Sequence, residues 1–160
     1  MKIDAHHHFW KYDPIRYSWM NERMEVLKKD YQPADLQVEI EKTGIDGVVS
    51  VQADQAMLET DELLEHAACH DFIKGVVGWF PLADSSVEGV LSEYAHNPWL
   101  KGVRHVVQDE PDDRFILGND FNEGIRKLEQ FDLVYDILIY ERQLAPSIEF
   151  VDLHPNLSFV

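Results

Sequence analysis

Two hydrophobic rhythms alternate along this chain. Gly47-Val48-Val49-Ser50-Val51-Gln52-Ala53 is a continuous, β-branched run, the pattern of a strand buried on both faces, and Lys74-Gly75-Val76-Val77-Gly78-Trp79-Phe80, residues 100–107 and residues 133–139 read as further strands. Between them lie segments of helical character. Residues 33–43 start with a proline and stop at Gly44, and residues 60–70 follow the second strand. Residues 86–96 open on serines and end before Asn97-Pro98, residues 120–130 carry an acidic first turn, and residues 142–153 complete the set. Pro81 ends the third strand, Ile3 to His8 predicts a first strand, and residues 157–160 open a sixth. Residues 11–30, with Pro14, Tyr17 and Trp19, predict a long first loop with a short helix near 22–29, either a packed lid or a cover for a pocket beside the strand end.

Repeated βα units predict a parallel sheet with helices outside it. The markers Ile3, Val48, Val76, Val103, Val134 and Phe159 are separated by 45, 28, 27, 31 and 25 residues, a regular unit except where the first loop lengthens it. A closed barrel needs eight such units and about 250 residues, and its active site lies at the C-terminal strand ends. The expectation is therefore an α/β chain, a single domain over 1–160, folded as a (β/α)8 TIM barrel that is incomplete at five to six units. A doubly wound open sheet competes, but no glycine-rich phosphate loop follows any strand.

Composition narrows the partners. A chain of 160 residues, 45% hydrophobic and 28% charged, can bury one core and is short for two. Its net charge of −16, from 30 acidic against 14 basic side chains, repels phosphate backbones and anionic lipid, so neither nucleic acid nor a membrane surface is expected as a partner. The single cysteine, Cys69, cannot form an internal disulfide, and no signal-like or membrane-spanning run occurs, which predicts a cytoplasmic setting.

Candidate chemistry begins in the first strand. A period of two places Asp4, His6 and His8 on one face and Ile3, Ala5 and His7 on the other. Imidazoles at i and i+2 lie roughly 6.5–7 Å apart at Cβ, close enough to share one divalent ion such as zinc or manganese, although two histidines alone leave a site unfinished. Gln52 ends the second strand as a loop cap or a substrate contact, Trp79 is an apolar wall or simple core packing, and Trp10 is a further candidate for substrate binding. On the fourth strand Arg104 can grip a carboxylate or a polarised carbonyl. Alternation forbids His105 from pointing the same way unless the strand ends or bulges there. Asp136 interrupts an apolar fifth strand, where a carboxylate must pair with Arg104 or face a polar pocket. His66 and His70 stand at i and i+4 on an outer helix, and His96 and His154 at helix C-termini, all four read as structural. The acidic run 109–113 reads as a solvated loop.

The stretches "IDAHHHFW", "VVSVQA", "VVGWFPL" and "LKGVRHVVQDEPDDRFIL" resemble the amidohydrolase-related lactonases, the group of fuconolactonase, rhamnonolactonase and sulfomuconolactone hydrolase. The resemblance implies a (β/α)8 barrel that opens a small-molecule sugar-acid lactone with water. It implies that His6 and His8 are the paired strand-one histidines, with a divalent metal in some relatives and none in others, and that Arg104, His105 and Asp136 lie near the substrate. The family pattern also has a histidine after the sixth strand and a water-activating aspartate on the eighth, and no position in these 160 residues matches either. The chain is thus expected to be an N-terminal portion, inactive when isolated. Two other readings compete. One is a phosphoesterase, which also starts with a strand-borne HxH. The other is a non-catalytic partial barrel that forms homo-oligomers through its open edge.

Overall fold

A computed structural model describes residues 1–160, which divide into two compact units, Met1–Gly78 and Trp79–Val160. In the first unit the order is β1 (Ile3–His7), α1 (Pro33–Thr43), β2 (Gly47–Val51), α2 (Met57–Cys69) and β3 (Ile73–Gly78). β2 pairs in parallel with β1 on one side and with β3 on the other. Val48, Ser50 and Val51 of β2 are fully buried, as an apolar run covered on both faces requires. Helix α1 starts on Pro33, where a missing N–H leaves no hydrogen bond unmade, and the Asp35 carboxylate accepts the Gln32 N–H at 2.9 Å. It stops at Gly44, whose φ of 69° is the left-handed cap that glycine adopts without a Cβ penalty. Helix α2 begins earlier than the expected residue 60 and lays Leu63, Leu64 and Ala67 into the core.

The long first loop has its own small core of Trp10, Tyr17 and Met20, flanked by Tyr12, Leu27 and Tyr31. Its short helix, Glu22–Leu27, is 3-10 rather than α, with a kink at Met24.

The second unit runs α3 (Val87–Tyr94), β4 (Leu100–His105), α4 (Asn119–Gln130), β5 (Val134–Ile137) and α5 (Leu144–Leu153). β4 and β5 are parallel, with Arg104 opposite Asp136 and His105 opposite Ile137. Phe121, Ile125 and Leu128 recur at helical spacing on α4 and are fully buried, and Phe121 meets Tyr135 and Phe150 ring to ring. α4 passes so close to the turn after residue 80 that a Cβ on Gly124 would overlap the Leu82 carbonyl. Both strands are shorter than predicted: a 3-10 turn at Val107–Asp109 follows β4, and irregular chain follows β5 before the 3-10 turn at Glu141–Gln143. Residues 157–160 do begin a further strand. Phe159 bridges Tyr135 in parallel, and Val160 accepts the Ile137 N–H at 2.8 Å.

Candidate functional site

The end of β1 turns two histidines onto one another. Its register against β2 slips between Asp4 and His7, so the strand carries one extra residue there. The Asp4 carboxylate accepts the His6 N–H at 3.2 Å beside the slip. Beyond it His6 Nε2 and His8 Nε2 stand 3.2 Å apart, with the rings near perpendicular at 85°. His8 Nδ1 lies 2.8 Å from the Val51 carbonyl oxygen, which can only accept, so the proton sits on Nδ1 and Nε2 keeps its lone pair. A backbone carbonyl holding the far nitrogen is how metal-binding imidazoles are commonly oriented. His6 and His8 thus fit a divalent cation as two nitrogen donors, and no cluster of three or more histidine, cysteine or acidic side chains extends the set.

His7 points elsewhere. Its Nε2 is 3.0 Å from the Ser50 hydroxyl and its ring meets Phe9 edge to face at 4.3 Å. Burial pushes it down to about 4, so it is neutral. With Phe9, Tyr31, Gln32 and Leu36 it lines a cavity of about 560 Å³ beside α1.

Trp10 and Gln52 are both buried. The Trp10 indole N–H donates to the Leu27 and Lys29 carbonyls at 3.2 and 2.8 Å, so the ring anchors the first loop. Gln52 donates from its side chain to the Asp54 carbonyl at 3.2 Å, a loop cap.

The same loop is held by a group that sequence reasoning missed. Glu59, 1% exposed, accepts the Ala53 and Asp54 N–H groups on one oxygen at 2.7 Å each and the Tyr17 hydroxyl on the other at 3.1 Å. Burial raises Glu59 to about 7 against the pull of those donors. Arg16 adds a guanidinium fork to Glu62 and a bond to Asp54 at 2.8 Å. An acidic residue in the first turn of a helix was the only local signal: Ala53 and Asp54 lie six and five residues from Glu59, but Tyr17 lies 42 residues from it and Arg16 lies 38 from Asp54.

In the second unit Arg104 is 6% exposed and faces Asp136 across the ladder. Burial pushes the Asp136 carboxyl up, and the Arg104 charge partly offsets that rise. His105 points to the opposite, helix-covered side, as alternation requires. Its ring stacks on Phe115 at 5.0 Å and meets Phe121 edge-on at 5.5 Å. His105 Nε2 is 2.7 Å from a Glu110 carboxylate oxygen, and the Trp79 indole N–H donates to Nδ1 at 3.4 Å. The acidic run 109–113 is therefore more than a solvated loop. Glu110 holds His105, and Asp113 pairs with Arg142 at 2.6 Å.

His66, His70 and His154 are structural in their contacts, and His96 is exposed. His66 and His70 pack edge-on to Phe9 and Phe72, with His70 Nδ1 on the His66 carbonyl. His154 is 1% exposed and bonded to Asn122 at 2.7 Å.

Comparison with known proteins decides the family: the amidohydrolase family matches residues 3–160. The chain belongs to the amidohydrolases. It is similar to two curated proteins named L-fucono-1,5-lactonase. The one from Burkholderia multivorans is 37% identical over 155 residues, covering 96% of this chain and 52% of the relative. The one from Burkholderia ambifaria is 29% identical over 159 residues, covering 99% and 55%. The chain spans about half the length of the curated relatives it matches. A crystal structure of a Burkholderia multivorans amidohydrolase with bound zinc superposes with a TM-score of 0.95 at 35% identity, covering 99% of this chain and 56% of that one. A dihydroxybenzoic acid decarboxylase from Polaromonas with bound manganese, at 12% identity, a TM-score of 0.71 and 99% and 64% coverage, shares the fold alone. The parallel βα units of this amidohydrolase are thus an incomplete (β/α)8 barrel, as the strand count predicted, and not a doubly wound sheet.

Proposed function

We propose that this amidohydrolase is the N-terminal portion of a lactonase that opens a sugar-acid lactone of the L-fucono-1,5-lactone type with water. The observation that carries the reading is the 37% identity, over nearly the whole chain, to a protein of that name. In this reading His6 and His8 hold a divalent cation, zinc or manganese, which when bound would polarise the lactone carbonyl. Arg104 orients the substrate oxygens through its guanidinium fork, and Asp136 shares its side of the sheet. Trp79 and Gln52 shape the walls. Residues 1–160 act as one domain of the barrel.

The test is lactone opening, followed by acid release, in the protein that contains this chain. His6→Ala or His8→Ala is expected to lower turnover at least 100-fold and to strip bound metal. Unchanged turnover in both variants refutes the proposal. A second reading has one favourable observation. β1 pairs only with β2 within its unit, and Ile3 and Val38 are exposed, so that edge suits homo-oligomers. A metal-free, self-associating chain with no lactone opening in any protein that contains it would favour that reading.

A further inference from the structure

We infer that His105 is a positioning residue whose imidazole, held by Glu110 on one nitrogen, fixes the indole of Trp79 with the other. The assignment follows from donor and acceptor chemistry. A carboxylate accepts and does not donate, so the 2.7 Å contact with Glu110 places the imidazole proton on Nε2. The neutral ring then offers its lone pair at Nδ1, and an indole N–H is a donor only, so the 3.4 Å contact with Trp79 has a single polarity. Each link of the line from Trp79 to His105 to Glu110 therefore sets the next.

The ring is also clamped. Phe115 stacks on it at an interplanar angle of 15°, and Phe121 meets it at 67°, so a flip that exchanged the two nitrogens would have to displace both phenyl groups. The side chain of His105 is 12% exposed and that of Glu110 24%, so the hydrogen-bonded pair meets water at its carboxylate end. The groups around the imidazole are Glu110 from the loop after β4, Phe115 and Phe121 from the helical layer, Trp79, and Ile137 across the ladder on β5. Only Glu110 among these carries charge. Burial keeps the ring neutral, pulling His105 below the usual histidine value while Glu110 partly restores it. A second proton on the ring would occupy Nδ1 and remove the acceptor that Trp79 uses. The orientation of Trp79 thus depends on a neutral His105 and, one bond further back, on Glu110.

The inference rests on the lactonase reading only for what Trp79 faces; the line of hydrogen bonds stands without it. Nitrogen-15 spectra of the protein that contains this chain test it, with Trp79→Phe and His105→Gln identifying the two signals. In the unaltered chain above neutral pH, His105 should show Nε2 protonated and Nδ1 bare. On acidification the Trp79 indole signal should shift with the same midpoint as the His105 ring. Glu110→Gln and Glu110→Ala should lower that midpoint and mix the two tautomers. A proton on Nδ1 of the neutral ring, or a Trp79 signal that ignores the His105 titration, overturns the inference, and both are read without any variant at Glu110. A midpoint and tautomer unmoved by both Glu110 substitutions overturns the role given to Glu110. Absence of lactone opening would sink the lactonase reading and leave these spectra as they are.

Discussion

Replacing Asn122 by leucine is expected to destabilise the chain more than any surface substitution on the same helix. Asn122 is 3% exposed, and its amide donates to the Ile116 carbonyl at 2.9 Å and the Gly118 carbonyl at 2.8 Å. Both donors are thereby committed to carbonyls, so Oδ1 faces His154 Nε2 at 2.7 Å and must accept its proton. Gly118 keeps a second donor, the Asn122 backbone N–H at 3.0 Å. The orphans left by Asn122→Leu are therefore the Ile116 carbonyl and the His154 N–H, each buried. At about 1–3 kcal/mol for each of the two unmade buried bonds, with leucine returning about 1 kcal/mol of apolar burial, the loss is roughly 1–5 kcal/mol. For a chain of this length that corresponds to a fall in Tm of roughly 2–20 °C.

Urea unfolding followed by circular dichroism measures the difference, with exposed Asn119→Ala as the control that should stay within about 0.5 kcal/mol. Adding His154→Leu to Asn122→Leu removes one orphan together with its partner, so the double variant should lose less than the sum of the two singles. An Asn122→Leu protein within about 0.5 kcal/mol of the unaltered chain, or strict additivity, would refute the reasoning.

Gly124→Ala places a methyl group against the Leu82 backbone carbonyl, which cannot rotate away, so the helix must shift. A loss of about 1–3 kcal/mol is expected despite the better helix propensity of alanine, and a gain in thermal stability would contradict that contact. The pH dependence follows from groups held away from their ordinary values by burial. His7 is lowered to about 4 and His66, His105 and His154 are also lowered, so the unfolded chain binds more protons below about 6.5 and stability falls as pH falls. His7 alone contributes up to about 3 kcal/mol across that window. Glu59, raised to about 7, opposes them, because the folded chain holds its proton between about 4.5 and 7. Glu59→Gln should therefore steepen the loss of stability between pH 6.5 and 4.5, and parallel pH profiles for the two proteins would contradict the assignment.

The strands, the helix order and the incomplete barrel were legible because they depend on local periodicity. Continuous apolar runs mark buried parallel strands, Pro33 and Gly44 bracket α1, and regular spacing between the later strands marks the βα repeat. His6 and His8 were legible for the same reason, since i and i+2 on a strand share a side whatever the rest of the chain does. Strand ends were less legible. At His105 and Ile137 the apolar pattern continues while the backbone turns into 3-10 geometry or irregular chain.

Only tertiary structure decided which polar groups are partners. Glu59 reaches Tyr17 across 42 residues, Asn122 reaches His154 across 32, and His8 is oriented by a carbonyl 43 residues away. No sequence period encodes such separations. Glu110 shows the limit most directly. In the sequence it is one acid among four in a run that reads as solvent-facing, yet the turn at Val107–Asp109 folds it back onto His105. Periodicity tells which face a side chain occupies, because that is set by backbone geometry. What it meets there depends on where another segment lies, and only the packed chain determines that.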